Sequence, residues 1–345
     1  MFKKWFSADP IKIAYERLRI AGWQGQLPLE WLQVTDDGGQ RQALLTLPFA
    51  ADESFLAPFR ADPVLSQCLW SLQLKIVKLA NTQPELPLLY GNIIVVSSGK
   101  GGVGKSSVSV QLALALAGFG AKVGLLDADV YGPSLPTMLG GADEKLQYSA
   151  QNKIIPHQRH GIWVTSLGYL TEANAPAIWR GPVASAALQQ LFRDSQWPQL
   201  DYLIIDMPPG TGDIQLTMAQ KLPITGAVVV TTPQTVALAD AEKGIEMFRK
   251  VGIPLTGMIE NMSYFECSQC GHHEAIFGSG GGAAVAQREG IPLLGAWPLA
   301  ARMRAALDDG VPLAIQDPTD PLVAVIRDSA QQLAMQLYQQ ATDKP

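Results

Sequence analysis

The sequence is short of cysteine, of clustered basic residues and of long apolar runs, and each shortage excludes a class of protein. Three cysteines in 345 residues is a low and odd number, which argues against a secreted disulfide framework. The net charge is -5 and basic residues form no run, so we expect no nucleic-acid partner. No stretch reaches the length of about 18 apolar residues that a membrane span needs. The sequence therefore predicts a cytoplasmic protein that binds neither nucleic acid nor membrane.

Two regions of different character follow one another along the chain. Residues 1–80 contain a candidate strand at 42–49 and a helical pattern at 62–79, which predicts a small N-terminal α+β domain. Residues 81–91 contain two prolines and no periodicity, as a linker would. The remainder, residues 92–345, is long enough to form a larger domain with its own core.

The larger region alternates short apolar runs with helical patterns. Such runs, rich in β-branched residues and separated by helices, are typical of a mostly parallel sheet covered on both faces. The prediction is a doubly wound α/β fold, in which ligands bind at the carboxyl ends of the strands. Strands are expected at residues 92–96, 122–126, 161–165, 202–205, 227–230, 255–259 and 293–296, and helices at 104–118, 183–192, 237–250, 282–287 and 319–340.

A glycine-rich segment follows the first of these strands and opens the first helix. It reads Gly99-Lys100-Gly101-Gly102-Val103-Gly104-Lys105-Ser106. Strand, loop and helix are the context that the Walker A pattern requires, and a glycine-rich turn without a ligand is the weaker alternative. Backbone N–H groups would surround the phosphates of ATP, Lys105 would reach the β and γ phosphates, and the Ser106 hydroxyl would ligate Mg²⁺. The segment predicts an ATP hydrolase.

Acidic residues stand at two strand ends of the same region. Asp127 and Asp129 follow the second strand, and Asp206 ends another as a Walker B aspartate does. A lone aspartate after a strand is more often a helix cap, but two such positions beside a P-loop favour a metal and phosphate site. Asp206 is predicted to act on Mg²⁺ from the outer sphere. Residues 208–213, Pro-Pro-Gly-Thr-Gly-Asp, suit a loop that responds to the γ-phosphate.

The second lysine of the loop makes the motif resemble the deviant Walker A of the MinD, ParA and nitrogenase iron protein class. The resemblance implies that ATP is sandwiched in a homodimer and that Lys100 reaches the partner's nucleotide. It also implies that Asp129 positions or activates the attacking water, that Asp127 is a supporting or metal-side group, and that Asn261 hydrogen-bonds the adenine base. A solvated loop lysine and an Asx-turn asparagine are the alternatives for Lys100 and Asn261.

A Cys-x-x-Cys pair, Cys267 and Cys270, lies in a polar, glycine-containing loop. A tetrahedral zinc or a 4Fe-4S cluster needs about four ligands, so one chain supplies half a site. A two-fold axis near this loop would complete a four-thiolate site in the same dimer. Zinc completed within one chain by His272 or His273, and two unpaired surface thiols, are the alternatives. Cys68 lies in the predicted helical stretch and is expected to be buried by packing.

Five segments together resemble the Mrp/ApbC iron-sulfur cluster carrier family over about residues 90–340. They are residues 99–106, 126–134, 179–182, 206–213 and 260–265, the last just before the cysteines. The resemblance implies a homodimer that holds a labile 4Fe-4S cluster between two cysteine pairs and passes it to apo-proteins, with ATP hydrolysis. It also suggests that residues 1–80 correspond to the α+β domain of iron-sulfur assembly factors. One departure is Ser268-Gln269 between the cysteines, where many members have proline.

Two rival functions share the P-loop but not the rest of the sequence. A ParA/MinD-type positioning ATPase that targets membranes would need a basic amphipathic C-terminal helix, whereas residues 330–340 carry no charge. A reductase like the nitrogenase iron protein takes its ligands from separate single cysteines, and here only Cys68 lies outside the pair. Both rivals therefore fit less well than a cluster carrier.

Overall fold

The computed structural model describes residues 9–79, 90–130, 132–169 and 181–342. The first range forms a small α+β unit around a three-stranded sheet, in which the second strand pairs antiparallel with the first and parallel with the third. Its elements are α1 (Pro10–Arg17), β1 (Leu32–Asp37), β2 (Gln40–Leu47), α2 (Ala57–Ala61) and β3 (Leu69–Leu74). The strand predicted at residues 42–49 is confirmed as β2.

The helix predicted at residues 62–79 is wrong. This stretch forms a short 3-10 turn, Leu65–Gln67, followed by β3. Trp70, Leu72 and Leu74 are less exposed than the residues between them, which is the period of two expected of a strand. Pairing with β2 decides the conformation, since propensity is a weak guide where tertiary contacts compete. Cys68 is buried as expected, although at the start of a strand.

The larger region contains the remaining elements. Its strands are β4 (Tyr90–Ser98), β5 (Val123–Asp127), β6 (Gln147–Tyr148), β7 (Ile154–Ile155), β8 (His157–Arg159), β9 (Ile162–Ser166), β10 (Leu200–Asp206), β11 (Gly226–Thr231), β12 (Leu255–Glu260), β13 (Phe265–Glu266), β14 (His273–Glu274) and β15 (Leu293–Ala296). Its helices are α3 (Lys105–Gly118), α4 (Leu135–Met138), α5 (Gly181–Asp194), α6 (Asp213–Lys221), α7 (Thr235–Lys250), α8 (Gly281–Glu289), α9 (Ala301–Asp308), α10 (Leu313–Gln316) and α11 (Pro321–Thr342).

Eight strands form one sheet in the order β15-β12-β11-β4-β10-β5-β9-β8, parallel throughout except for β8. The central strand β4 is buried on both faces. Ile94 and Val96 belong to the core on the side of α3 and α11, whereas Ile93 and Val95 belong to the core on the side of α5 to α8. A strand covered on both faces must be apolar at every position, which is why its sequence runs without alternation. The predicted doubly wound fold is confirmed.

The small unit packs against the last helix of the large region. Gln332 and Gln339 of α11 donate side-chain hydrogen bonds to the carbonyls of Ala21 (3.1 Å) and Gln24 (2.8 Å). The division into domains at residues 81–91 remains a prediction. Of that linker only residues 90 and 91 are described, and they already belong to β4. No helix among the described residues is long and apolar enough to span a membrane.

The sheet register places the predicted acids side by side. Asp206 at the end of β10 is paired with Asp127 at the end of β5, and Asp127 is paired with Ser166 at the end of β9. Because the strands are parallel, all these ends lie at one edge of the sheet, where the glycine-rich loop also leaves β4. The predicted site residues from these strands therefore meet.

Candidate nucleotide site and cysteine hairpin

The glycine-rich loop turns sharply between β4 and α3. Gly102 and Gly104 have φ angles of +82° and +80°, a conformation that residues with a Cβ rarely adopt. A Cβ on Gly104 would also lie 2.2 Å from the side-chain nitrogen of Asn261. The glycines at these two positions follow from backbone geometry, which brings the loop N–H groups and the start of α3 to one place.

Gly99 is required for a different reason. Its φ is not positive, but a Cβ on it would lie 2.1 Å from the backbone carbonyl of Asp240 in α7. The absent side chain lets α7 pack directly on the start of the loop.

We predict that Gly99→Ala lowers the free energy of unfolding by about 1–3 kcal/mol, the usual cost of forcing an extra carbon into packed structure. The matched control is Gly101→Ala in the same loop, where a Cβ would lie 4.0 Å from its closest neighbour, Pro209. Chemical denaturation of both variants tests the prediction. Equal losses for the two variants would contradict the packing argument.

The Lys105 side chain is only 6% exposed and points into a group of carboxylates. Its ammonium nitrogen lies 2.8 Å from Asp206 Oδ1 and 3.7 Å from Asp129 Oδ2. It also lies 3.2 Å from the Ser106 hydroxyl. A buried ammonium needs such partners, and a phosphate entering the loop would offer it oxygens of the same charge.

The residues predicted for Mg²⁺ fit that ion. The Ser106 hydroxyl donates to Asp206 Oδ2 at 2.6 Å, and Asp206 is fully buried. Hydroxyl and carboxylate oxygens are the hard ligands that Mg²⁺ prefers beside phosphates. Ser109, one turn further along α3, donates to the other oxygen, Asp206 Oδ1, at 2.6 Å. Sequence reasoning missed Ser109, although its position three residues after Ser106 on the same helix face was a usable signal.

Asp127 is buried and held by three donors. Its oxygens accept hydrogen bonds from the Ser166 hydroxyl (2.9 Å) and from the backbone N–H groups of Asp129 (3.1 Å) and Leu135 (3.3 Å). Burial, followed by the adjacent Asp206 carboxylate, raises the pKa of Asp127 to about 7. Ser166 was missed because it comes from β9, a strand for which sequence reasoning proposed no site residue.

Lys100 and Asp129 line one pocket together with the loop glycines, Lys105, Ser106 and Pro209. Asp129 Oδ1 accepts a hydrogen bond from the N–H of Gly132 at 3.3 Å. Lys100 forms no ion pair with any residue of the described ranges, and its carbonyl accepts a hydrogen bond from the Ser98 hydroxyl at 2.8 Å. The structure therefore brings both residues to the phosphate pocket.

The loop at residues 208–213 lies directly against the P-loop strand. The N–H of Gly210 donates to the carbonyl of Ser98 at 2.8 Å, with Gly210 at a φ of +97°. The side chain of Gln215 holds the carbonyl of Pro209 at 2.6 Å. A loop that follows Asp206 in the chain and contacts the end of β4 is well placed to respond to what binds there.

Asn261 is buried and contacts the P-loop itself. Its amide nitrogen donates to the carbonyl of Val103 at 2.9 Å, while its side-chain oxygen has no hydrogen-bond partner within the described part of the chain. The predicted adenine contact stays a prediction. What the structure adds is a direct link from the end of β12 to the nucleotide loop.

Cys267 and Cys270 lie at the tip of a two-stranded hairpin formed by β13 and β14. Inside the tip, the N–H of Cys267 donates to the carbonyl of His272 at 3.0 Å. The N–H of Gly271, which has a φ of +68°, donates to the carbonyl of Cys267 at 2.9 Å. Backbone N–H groups of Gln269 and then Cys270 lower the pKa of the Cys267 thiol. The tip thus favours the thiolate of Cys267, the form that binds metal.

The base of the hairpin is fixed to the large unit. Arg302 of α9 donates from Nη2 to Glu266 at 3.2 Å and to Asp320 at 3.1 Å, and from Nε to Asp320 at 2.6 Å. The rings of Tyr264 and His273 lie 4.5 Å apart across the hairpin. Sequence reasoning missed Arg302, because nothing in the local sequence indicates that α9 lies under the cysteines.

Within the described ranges, no third ligand joins the two cysteines. Across the described residues, no group of three or more His, Cys, Asp or Glu side chains could hold a metal ion. Cys270 is exposed and Cys267 half-buried. The in-chain zinc site with His272 or His273 therefore has no support among the described residues.

Comparison with known proteins identifies the family. A family model described as ParA, "NUBPL iron-transfer P-loop NTPase", matches residues 90–334. The chain belongs to this family. The resemblance to iron-sulfur cluster carriers found in the motifs is confirmed, although Trp179 and Arg180 of one motif lie outside the described residues. As a family member the chain is a P-loop nucleoside triphosphatase.

Curated relatives agree with the family. The "Iron-sulfur cluster carrier protein" of Haemophilus influenzae is 51% identical over 92% of this chain and 88% of its own length. The protein of the same name from Escherichia coli K12 is 52% identical over 79% of this chain and 74% of its own length. The "Iron-sulfur cluster transfer protein NUBPL" of Dictyostelium discoideum is 45% identical over 71% of this chain and 76% of its own length.

Solved structures agree with the fold. A nucleotide-binding protein of Archaeoglobus fulgidus in complex with ADP is 36% identical, with a TM-score of 0.59, over 68% of this chain and 91% of that one. The cell division ATPase MinD of Pyrococcus furiosus is 22% identical, with a TM-score of 0.52, over 70% of this chain and 98% of that one. The second likeness concerns the fold alone.

Proposed function

We propose that the protein is an ATP-dependent carrier of 4Fe-4S clusters, which two chains hold between them and pass to apo-proteins. The observation that carries the proposal is the half-site of Cys267 and Cys270 on an exposed hairpin tip, without a third ligand among the described residues. A second copy of the same hairpin supplies the two missing thiolates. The names of the curated relatives support the same cargo.

The proposed dimer serves the nucleotide as well as the cluster. The hairpin follows β12 and the P-loop follows β4, so both leave the same edge of the sheet. Chains that meet through this edge would bring both cysteine pairs together and place each Lys100 near the partner's phosphates. Lys100 then adds a positive charge where negative charge develops during hydrolysis.

Each residue of the pocket has a role in the proposed hydrolysis of ATP. The loop N–H groups and Lys105 hold the phosphates, and Ser106 with Asp206 would hold Mg²⁺. When bound, the ion would neutralise charge on the β and γ phosphate oxygens. Asp129 orients a water whose oxygen attacks the γ-phosphorus. The bond from that phosphorus to the β–γ bridging oxygen breaks, which gives ADP and inorganic phosphate. Asn261 is proposed to face the adenine.

Anaerobic reconstitution with iron and sulfide tests the proposal. We expect about four irons per dimer and the visible absorbance of a 4Fe-4S cluster in the wild type. Cys267→Ser and Cys270→Ser should each lose the cluster, because a site with two ligands missing per dimer cannot hold it. Cys68→Ser is the control, since that thiol is buried away from the hairpin. A wild type that assembles no cluster, or a cluster that survives both substitutions, would refute the carrier function.

A further inference from the structure

One buried carboxylate touches both ends of the segment that carries the cysteine hairpin. Glu260, the last residue of β12, is 3% exposed. Its Oε1 accepts a hydrogen bond from the Ser263 hydroxyl, and its Oε2 accepts one from the backbone N–H of Gly282, both at 2.5 Å. Both ends of the hairpin segment, residues 263–282, are therefore hydrogen-bonded to the same side chain.

The contact at the returning end depends on a glycine. A Cβ on Gly282 would lie 2.7 Å from Glu260 Oε2 and 3.0 Å from its Cβ. Gly282 is in the first turn of α8, where free N–H groups and the helix dipole favour a negative charge. The protein's own carboxylate thus occupies the N-terminus of α8 and fixes it to the end of β12.

The residue after this carboxylate contacts the nucleotide loop. Asn261 donates its amide nitrogen to the carbonyl of Val103, and its backbone N–H donates to the carbonyl of Thr231 at 2.8 Å. Two adjacent residues therefore touch the P-loop on one side and both ends of the cysteine segment on the other. A shift of either one must be accommodated by its neighbour.

We infer that Glu260 is a positioning residue that couples nucleotide occupancy of the P-loop to the conformation of the cysteine hairpin. The inference rests on the proposed function only in the use of the coupling, which would be to control a cluster held at the hairpin. A carboxylate suits the task because both oxygens accept hydrogen bonds. Glu260→Gln removes the negative charge at the start of α8, and its NH₂ group can meet the Ser263 hydroxyl only by donating to it, so the variant cannot accept from both partners.

The test measures thiol reactivity in protein free of iron. Cys267 and Cys270 are alkylated with iodoacetamide, with and without a non-hydrolysable ATP analogue and Mg²⁺, and each cysteine is followed by peptide mass spectrometry. In the wild type we expect the nucleotide to change the alkylation rate by about fivefold or more, as is usual for coupled sites. In Glu260→Gln the ratio should fall to about one, while calorimetry still detects binding of the analogue.

Two sets of variants separate positioning from loss of structure. Glu274→Gln makes the same chemical change at an exposed residue of the hairpin and should keep the wild-type ratio. Ser263→Ala should reduce the ratio, whereas Ser263→Thr, which keeps the hydroxyl, should restore it. Cys68 is the internal reference, because general loosening of the fold would make this buried thiol reactive as well.

The outcomes that overturn the inference are specific. Wild-type alkylation rates that are the same with and without the nucleotide would exclude the coupling. A ratio of these rates as large as in the wild type, in both Glu260→Gln and Ser263→Ala, would exclude the role of Glu260. If Cys68 becomes reactive in Glu260→Gln, that variant has lost structure, and Ser263→Ala and Ser263→Thr decide instead. Equal ratios of the alkylation rates with and without nucleotide in these two variants would count against the inference. Because no iron is present, failure here differs from failure to assemble a cluster.

Discussion

Replacing Lys105 by alanine should lower kcat/KM for ATP hydrolysis by at least about a hundredfold, as removal of a single transition-state donor does in other enzymes. The ammonium lies between Asp206 and Asp129 and has the phosphate loop around it, whereas Lys100, the other lysine that lines this pocket, pairs with neither carboxylate. Steady-state release of phosphate measures the effect. Lys122→Ala is the control, because this exposed lysine precedes β5 at the opposite edge of the sheet.

The same variant also tests whether Lys100 acts on the partner's nucleotide. Lys100→Ala and Lys105→Ala should each be inactive alone, yet a mixture should recover activity. In a mixed dimer, the Lys100→Ala chain keeps its own Lys105 and receives Lys100 from its partner. With random exchange of chains, about a quarter of all sites should be active. A mixture as inactive as its components would place Lys100 outside the partner's site, and normal turnover of Lys105→Ala would refute the P-loop assignment.

Sequence patterns predicted the parts of this site that are local in the chain. The P-loop, Asp127 and Asp206 could be identified because each follows an apolar strand, and parallel strands deliver their ends to one edge. Ser166 and Arg302 could not, since each acts on a residue that is distant in sequence. Their roles depend on which strands and helices become neighbours.

The wrong helix and the packing role of Gly99 depend on partners that are distant in sequence. Residues 62–79 were expected to form a helix, but β2 offers hydrogen bonds to a strand there, and the tertiary pairing prevails. Gly99 stays a predicted glycine of the phosphate loop, and its lack of a side chain is also required by α7, whose residues lie far along the chain. In both cases the deciding partner is absent from the local sequence.

The buried Asp127 should make the stability of the protein depend on pH. Its pKa is raised from 3.8 to about 7 by burial and by Asp206, so between these values the folded chain holds a proton that the unfolded chain has released. Stability must then fall as the pH rises towards 7. Relative to Asp127→Asn, which does not titrate, the wild type should lose about 2.5 kcal/mol of unfolding free energy between about pH 5 and about pH 8.

Chemical denaturation of both proteins across this range, without nucleotide or Mg²⁺, measures that difference. The asparagine also loses an acceptor for the N–H of Leu135, which Asp127 Oδ2 accepts at 3.3 Å. That loss shifts the difference by an amount that does not vary with pH, so the slope is the quantity to compare. The unfolding free energy of Asp143→Asn, a change at an exposed position, should vary with pH in the same way as that of the wild type. A pH-independent difference for Asp127→Asn would mean that Asp127 is already ionised throughout, with Lys105 and the three donors stabilising the charge more than burial disfavours it.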